Sequence, residues 1–418
     1  MQDVVLRFLE YVKIDTGSVE RVDGVDPIHP SSPGQTALIN KLADELDKMG
    51  VSAEQIKMLG DGSMLVNFPP HRGFEGSAHA VFVAHVDTSP ECAGGANPLV
   101  RQYTGGDIAL PTNNKVIPAS DLAGLEGKTI ITSDGSTLLG ADDKAGVASL
   151  MVLIQMMLTN NLPHGEITFW FCVDEEIGEV GTDFLPEDIA KGWSVLWTVD
   201  GSELNLVDIG CFYGTSIKVE FNGRGGHPGE GGAEIKPAHY AASRFISGLG
   251  DVNDALKPWT SKGQESFVYV PTLPKGTAEQ TTVNVIPRTF RQEEVPELAG
   301  IIKRVAEDAA DHYGVQVVVG ETKVTYVSNE VAISANRRML EVGLSALKDF
   351  GITPQEQYVR GGTDGAMFNV KYPKIPAPNL GNGGRNFHKP TEFLVMEELA
   401  AVPHILVNMV ARFADMPR

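Results

Sequence analysis

Residues 167–176 read ITFWFCVDEE, an unbroken apolar and β-branched run that ends abruptly in three acids. A strand-length run without polar alternation belongs to a strand covered on both faces, as in parallel sheets flanked by helices. Similar runs stand on either side of it: HAVFVAHVD (79–87), KTIITS (128–133) and SVLWTVD (194–200). Between them, GQTALINKLADELDKMG (34–50) and KAGVASLMVLIQMMLTNN (144–161) carry helical spacing, the first closing on Gly50. This alternation predicts an α/β fold with a mostly parallel sheet.

The rhythm changes near residue 210. CFYGTSIKVEFNG (211–223) alternates like a half-exposed strand, and a helical stretch follows at 236–249. ESFVYVPTL (265–273) and TTVNVIPRTF (281–290) read as strands, 294–313 as a helix, and GVQVVVGETKVTYV (314–327) again as strand. That order predicts an antiparallel sheet with helices on one face, inserted into the first domain. The expected division is 1–209 with 328–418, and 210–327.

A chain of 418 residues exceeds what one core usually holds. Its formal net charge of −20, with no basic run to offset it, argues against nucleic acid or an anionic membrane as partner. The longest apolar stretch, SLMVLIQMML (149–158), is too short to cross a bilayer. The start, MQDVVLRFLEYVKI, has an early acid and helical periodicity rather than the pattern of a signal peptide. Three cysteines without a CxxC pair give no disulfide framework, so a cytoplasmic protein is expected.

In open α/β sheets ligands gather beyond the carboxyl ends of the strands. There the chain places His85 and Asp87, then Asp174, Glu175 and Glu176, then Asp200; Asp142 and Asp143 precede the long helix, and His388 lies in a later loop. Taken singly, each is an ordinary polar residue, a helix cap or a turn. Together they would repel unless cations were present, and carboxylate plus imidazole suits zinc, cobalt or manganese.

HVDTSPE (85–91), LLGADDKAG (138–146), DEEIG (174–178), TVDG (198–201), GRGGHPG (223–229), RGGTDGA (360–366) and NFHKPTEF (386–393) occur in this order over nearly the whole chain. They resemble the co-catalytic dizinc exopeptidase and amidohydrolase family, in its tripeptide aminopeptidase branch, as does YTGGDIAL (103–110). The resemblance implies a zinc-exopeptidase catalytic domain with an inserted α+β lid and dimerisation domain, a homodimer, and hydrolysis of the N-terminal residue of tripeptides. It implies two Zn²⁺ per subunit, with Co²⁺ or Mn²⁺ as substitutes. Asp142 would bridge the metals, His85 and Asp200 would complete one site, and Glu176 and His388 the other.

Glu175 then becomes the general base that takes a proton from the bridging water, and the Asp142–Asp143 peptide is expected to be cis. Neighbours in an extended segment point opposite ways, so Glu175 and Glu176 need not share a task. Asp87, two residues from His85 on the same side of the strand, is placed to accept from its imidazole. In relatives the HPG motif faces the neighbouring subunit's site, which makes His227 a donor to the oxyanion. Arg288 and Arg360 suit a substrate carboxylate, and Asn284 a substrate carbonyl. NVIP (284–287) is closer to carboxypeptidase and deacylase members, so a dipeptidase, carboxypeptidase or N-acyl amino-acid deacylase on the same site is the alternative. A non-catalytic metal-binding protein would need no Glu175, and a dimetal phosphoesterase would need a basic phosphate clamp that the sequence lacks. Asp174 has no assigned role.

Overall fold

The computed structural model describes residues 2–20, 26–178, 180–227, 229, 234–256 and 263–418. They form two units: Met1–Ile209, Asn329–Tyr358 and Thr363–Arg418 make the first, and Gly210–Ser328 with Val359–Gly362 the second. The short return Val359–Gly362 brings Arg360 into the second unit, which the sequence expectation had assigned to the first.

An eight-stranded sheet organises the first unit. Its spatial order is β1 (Ile56–Met58), β2 (Met64–Phe68), β8 (Ile167–Cys172), β3 (Ala80–His85), β9 (Val195–Gly201), β18 (Asn379–Gly381), β10 (Leu206–Gly210) and β17 (Gln355–Tyr358). The central pairs β8–β3, β3–β9 and β9–β18 are parallel. Outside them β1–β2, β2–β8 and β18–β10 are antiparallel. The parallel expectation therefore describes the centre, where strands are apolar on both faces, and the margins run the other way.

Every residue of β3 and β8 is buried because each face has its own core. Phe82, Ala84, Phe169, Phe171, Trp197 and Val199 pack with apolar residues of the helices Gln2–Tyr11, Pro33–Met49, Ala141–Asn160, Arg338–Asp349 and Met396–Ala414. Val81, Val83, Trp170, Cys172 and Leu196 pack on the other face with Trp193 and Phe368. Helix Ala141–Asn160 is apolar nearly all round, with Leu150, Met151, Leu153 and Ile154 wholly buried. Each such side chain contributes about 1.5–3 kcal/mol of burial. The helix stops where Asn161 turns left-handed (φ 46°) and its N–H bonds back to Leu158 and Met157.

KTIITS is not part of this sheet. It forms β7 (Thr129–Thr132), which pairs antiparallel with β20 (Phe393–Val395) and β4 (Leu99–Gln102), while β19 (Gly384–Arg385) pairs β20. A short hairpin, β5 (Ile108–Ala109) with β6 (Val116–Ile117), lies in the same excursion. Apolar runs specify burial but not which sheet receives them. This one joins a separate small core of Tyr103, Ile108, Leu110, Ile117, Leu122, Ile130, Phe393 and Val395. YTGGDIAL thus packs with strand β20, beside the loop that carries His388.

In the second unit β11 (Tyr213–Asn222) pairs antiparallel with β14 (Gln280–Thr289), β15 (Gln316–Val319) and β16 (Lys323–Tyr326). β14 also pairs with β12 (Phe267–Tyr269) and β13 (Lys275–Gly276). Ile217, Val219, Phe221, Val283 and Val285 face helices Ala238–Leu256 and Val295–Tyr313 through Phe245, Ile302 and Ala306. The alternate positions Lys218 and Asn284, directly opposite one another, are exposed. Period-2 alternation made this unit readable, because only one of its faces is covered.

Candidate metal centre

The carboxyl edge of the central sheet gathers the chemistry. His85 is the last residue of β3, and Asp200 is near the end of β9. Asp142 opens the long helix behind Gly140, whose left-handed backbone (φ 83°) turns the chain into it. Glu175–Ile177 form a single 3₁₀ turn after β8, so Glu175 and Glu176 diverge around a turn rather than across a pleat. His388 adopts φ 62° in the loop between β19 and β20.

Asp142 is divided between two groups. Its Oδ1 lies 2.8 Å from His85 Nε2, which is 3.5 Å from Asp200 Oδ1. Its Oδ2 lies 3.3 Å from His388 Nε2, which is 3.1 Å from Glu176 Oε2. Among the described residues, His85–Asp142–Asp200 and Asp142–Glu176–His388 are the groups of metal-type donors, each with its donor atoms within 4.8 Å of one another. Bonds of about 2.0–2.1 Å to a tetrahedral zinc would put donors ~3.4 Å apart, close to these separations. Glu176 Oε1 is buried with no hydrogen-bond partner, as a ligand oxygen would be. The residues fit a dinuclear centre that shares one carboxylate.

Electrostatics say the same. Burial, then the nearby Asp142 charge, pushes Glu176 up to about 7 and Asp200 up to about 8. Hydrogen bonds to Asp142 and Glu176 push His388 up to about 11. Burial opposes charge on His85, but Asp200, Asp142 and Asp87 hold it well above the usual imidazole range. Asp142 stays below the usual carboxylate range despite its burial, because His388 and His85 both donate to it. Such mutual dependence marks an acidic cluster in which divalent cations replace protons.

The surrounding residues hold these groups in place. Asp87 lies 3.4 Å from His85 Nδ1, an ion-pair distance without the alignment of a full hydrogen bond. Asp87 also accepts the backbone N–H of Glu175 and of Glu176, each at 3.1 Å, a grip that its spacing from His85 did not announce. Asn379 Oδ1 accepts from Asp200 N at 3.0 Å. Glu392, fully buried, accepts from Leu139 N (2.8 Å), Gly140 N (2.9 Å) and Asp142 N (3.2 Å), and burial pushes it up to about 7. The Asp142–Asp143 peptide is cis, as expected. Within NFHKPTEF the sequence gives Glu392 no role. The only signal in the sequence was an acid inside an otherwise apolar strand entry, TEF.

The other sequence-predicted residues lie in the second unit. His227 is exposed, and its Nδ1 accepts from Gly229 N at 3.2 Å. Arg288 donates from Nη1 to Thr215 O (2.9 Å) and Pro287 O (3.0 Å), with its guanidinium 5.1 Å over the Tyr326 ring. Arg360 stacks on Phe212 and Phe267, donates to Gly263 O at 3.0 Å and lies 3.7 Å from Glu265. Asn284 is exposed on β14.

Comparison with known proteins settles the family. Residues 134–412 match the family model of peptidase family M20/M25/M40. Peptidase T of Escherichia fergusonii is 32% identical over 98% of both chains, and Peptidase T of Salmonella arizonae equally so.

The chain belongs to peptidase family M20/M25/M40.

It is a metallo-exopeptidase of that family, and its donor groups provide for two metal ions. The M20 fold is also seen in solved structures. Aminopeptidase PepT from Bacillus cereus has a TM-score of 0.72 at 21% identity, covering 99% of this chain and 98% of that one. A tripeptidase from Staphylococcus aureus has a TM-score of 0.74 at 19% identity, covering 99% of each. Among the described residues, no helix is long and apolar enough to cross a membrane.

Proposed function

We propose that the protein is a two-zinc aminopeptidase that removes the N-terminal residue from tripeptides. The division of Asp142 between two donor groups carries this reading. Two bound ions, zinc or substituting cobalt or manganese, supply Lewis-acid charge that acidifies water and polarises the scissile carbonyl. Asp142 would be shared by the two ions; His85 and Asp200 would hold one, and Glu176 and His388 the other. Asp87 orients His85. Glu175 takes a proton from the attacking water and passes it to the leaving amine.

In the second unit His227 donates to the developing oxyanion, Arg288 and Arg360 receive the peptide's C-terminal carboxylate, and Asn284 bonds a peptide carbonyl. Residues 1–209 and 328–418 are the catalytic domain, and 210–327 the lid and dimerisation domain of a homodimer. The tripeptide assignment is supported by the names of the relatives, Peptidase T and tripeptidase. A cytoplasmic location, with neither nucleic acid nor membrane as partner, is supported by the net charge of −20 and three cysteines without a CxxC pair.

The test is a comparison of free and N-acetylated di- and tripeptides with metal-loaded protein and a chelator control. Tripeptide hydrolysis that requires the free amine and is abolished by chelation is expected. Equal cleavage of the acetylated peptide would point instead to a carboxypeptidase or deacylase.

A further inference from the structure

The turn bearing both glutamates begins at Asp174, which is wholly buried and left-handed (φ 56°). Its carboxylate is surrounded by one short stretch of chain. Oδ1 accepts from Gln35 Nε2 (2.7 Å) and Ser31 Oγ (2.5 Å), and Ser31 N donates to both oxygens, at 3.1 and 2.9 Å. Oδ2 lies 2.6 Å from His29 Nδ1. The backbone of Asp174 is held too, its N–H donating to Gln35 Oε1 at 3.0 Å. Gln35, itself wholly buried, therefore both donates to and accepts from Asp174, its amide also reaching Ser31 Oγ and Ser32 Oγ at 3.2 and 3.4 Å.

None of these partners belongs to the donor groups around Asp142. Immediately after Asp174, the N–H groups of Glu175 and Glu176 are taken by Asp87. The turn is thus gripped at three successive residues, by residues 29–35 at Asp174 and by Asp87 at the next two. A stabilising role alone accounts poorly for this arrangement. Burying another carboxylate in the unit that already crowds Asp87, Asp142, Glu176 and Asp200 costs desolvation and repulsion, and buried charges are weak evidence of stabilisation. What the anchorage provides is a defined orientation for the next peptide unit.

We propose that Asp174 is a positioning residue. Tied to His29, Ser31 and Gln35, it fixes the rotation of the 175–176 turn so that the Glu175 carboxylate meets the attacking water. The role rests on Glu175 being the base. It needs no new contact with substrate, because a shift of about 1 Å in a reacting group already costs ~100-fold in rate.

Asp174→Asn is the informative variant. Asparagine matches aspartate in shape and tolerates the left-handed backbone, yet replaces one acceptor oxygen with a donor that the Ser31 N–H, which donates to both oxygens, cannot use. With a tripeptide substrate, kcat is expected to fall about 30- to 100-fold, KM to stay within about threefold, and two metal ions per chain to remain by elemental analysis. The double variant Asp174→Asn/Glu175→Gln should be no slower than Glu175→Gln alone, because both changes act through one carboxylate. A folded, metal-loaded Asp174→Asn protein with kcat within about twofold of the parent overturns the proposal, as do losses that multiply in the double variant. If Asp174→Asn does not fold, Ser31→Ala removes the hydroxyl donor to Asp174, together with an acceptor for Val19 N and Gln35 Nε2, and leaves the carboxylate and the other donors in place. A several-fold loss of kcat supports the tether and an unchanged kcat overturns it. An active Glu175→Gln protein defeats the base reading and this proposal with it; an inactive one beside an unaffected Asp174→Asn defeats only the positioning.

Discussion

The two units treat their ionisable side chains in opposite ways. At the carboxyl edge of the first unit's sheet, Glu176 and Asp200 are half-buried and pushed up to about 7 and 8, and Glu176 Oε1 has no hydrogen-bond partner. In the second unit, Arg288 donates to two carbonyls and stacks on Tyr326, while Arg360 is bracketed by Phe212 and Phe267. The first arrangement is incomplete without cations, and the second is satisfied by its own backbone and rings. Donor groups left without partners stand out in the structure; arginines that rest in ordinary contacts, proposed here to bind substrate, do not.

The sharpest way to break the contrast is Asp142→Ala. It removes the proposed shared ligand, so both ions should be lost on dialysis and the rate should fall by about 10³-fold or more. Retention of one tightly held ion and substantial turnover would show that the two groups are independent. Next in size, Glu175→Gln should lower kcat by about 10²- to 10⁴-fold with metal content intact. A comparable loss of metal would make Glu175 a ligand.

Arg360→Ala is expected to raise KM about tenfold for free tripeptides and much less for their C-terminal amides, and Lys should not restore it, since an ammonium cannot present a planar fork. Arg288→Ala tests the same contrast from the other side. If KM is unchanged and only the melting temperature drops, its two carbonyl contacts are its whole role.

A smaller effect should appear in stability. Glu176 and Asp200 have folded values of about 7 and 8, above the ordinary carboxylate, and His388 is raised from 6.5 to about 11. Their contribution to the metal-free protein is full below the unfolded values and is lost as pH rises through the folded ones. Ions that replace those protons should therefore raise the melting temperature more at pH 8 than at pH 5.5, by several degrees. A metal effect independent of pH would mean the acids are not ligands.

The sequence could be read where a residue's neighbours in the chain determine its surroundings. Strand ends in HVD, DEE and VDG, and the DD before the long helix, placed His85, Asp87, Glu176, Asp200 and Asp142 at one edge, because parallel strands share a carboxyl end. The inserted unit was legible from its period-2 runs. The destination of KTIITS was not, since its apolar character fits either sheet and pairing with β20 depends on residues about 260 positions away. Asp174 and Glu392 were opaque for the same reason. Each is explained only by partners brought together in three dimensions: Gln35 lies 139 positions from Asp174, and Asp142 lies 250 positions from Glu392. The return of Arg360 to the second unit leaves no trace in composition.

That span of 250 residues is closed by a single carboxylate. Glu392 staples its own strand entry directly onto the turn of Leu139, Gly140 and Asp142 through three N–H bonds. Glu392 therefore joins the β7–β20 pairing in holding the two loops together across the chain that separates them. Because Glu392, Leu139, Gly140 and Asp142 all lie in the first unit, the staple does not depend on Gly210–Ser328. A change in the inserted unit, proposed here to select substrate, would leave that staple and its grip on Asp142 as they are.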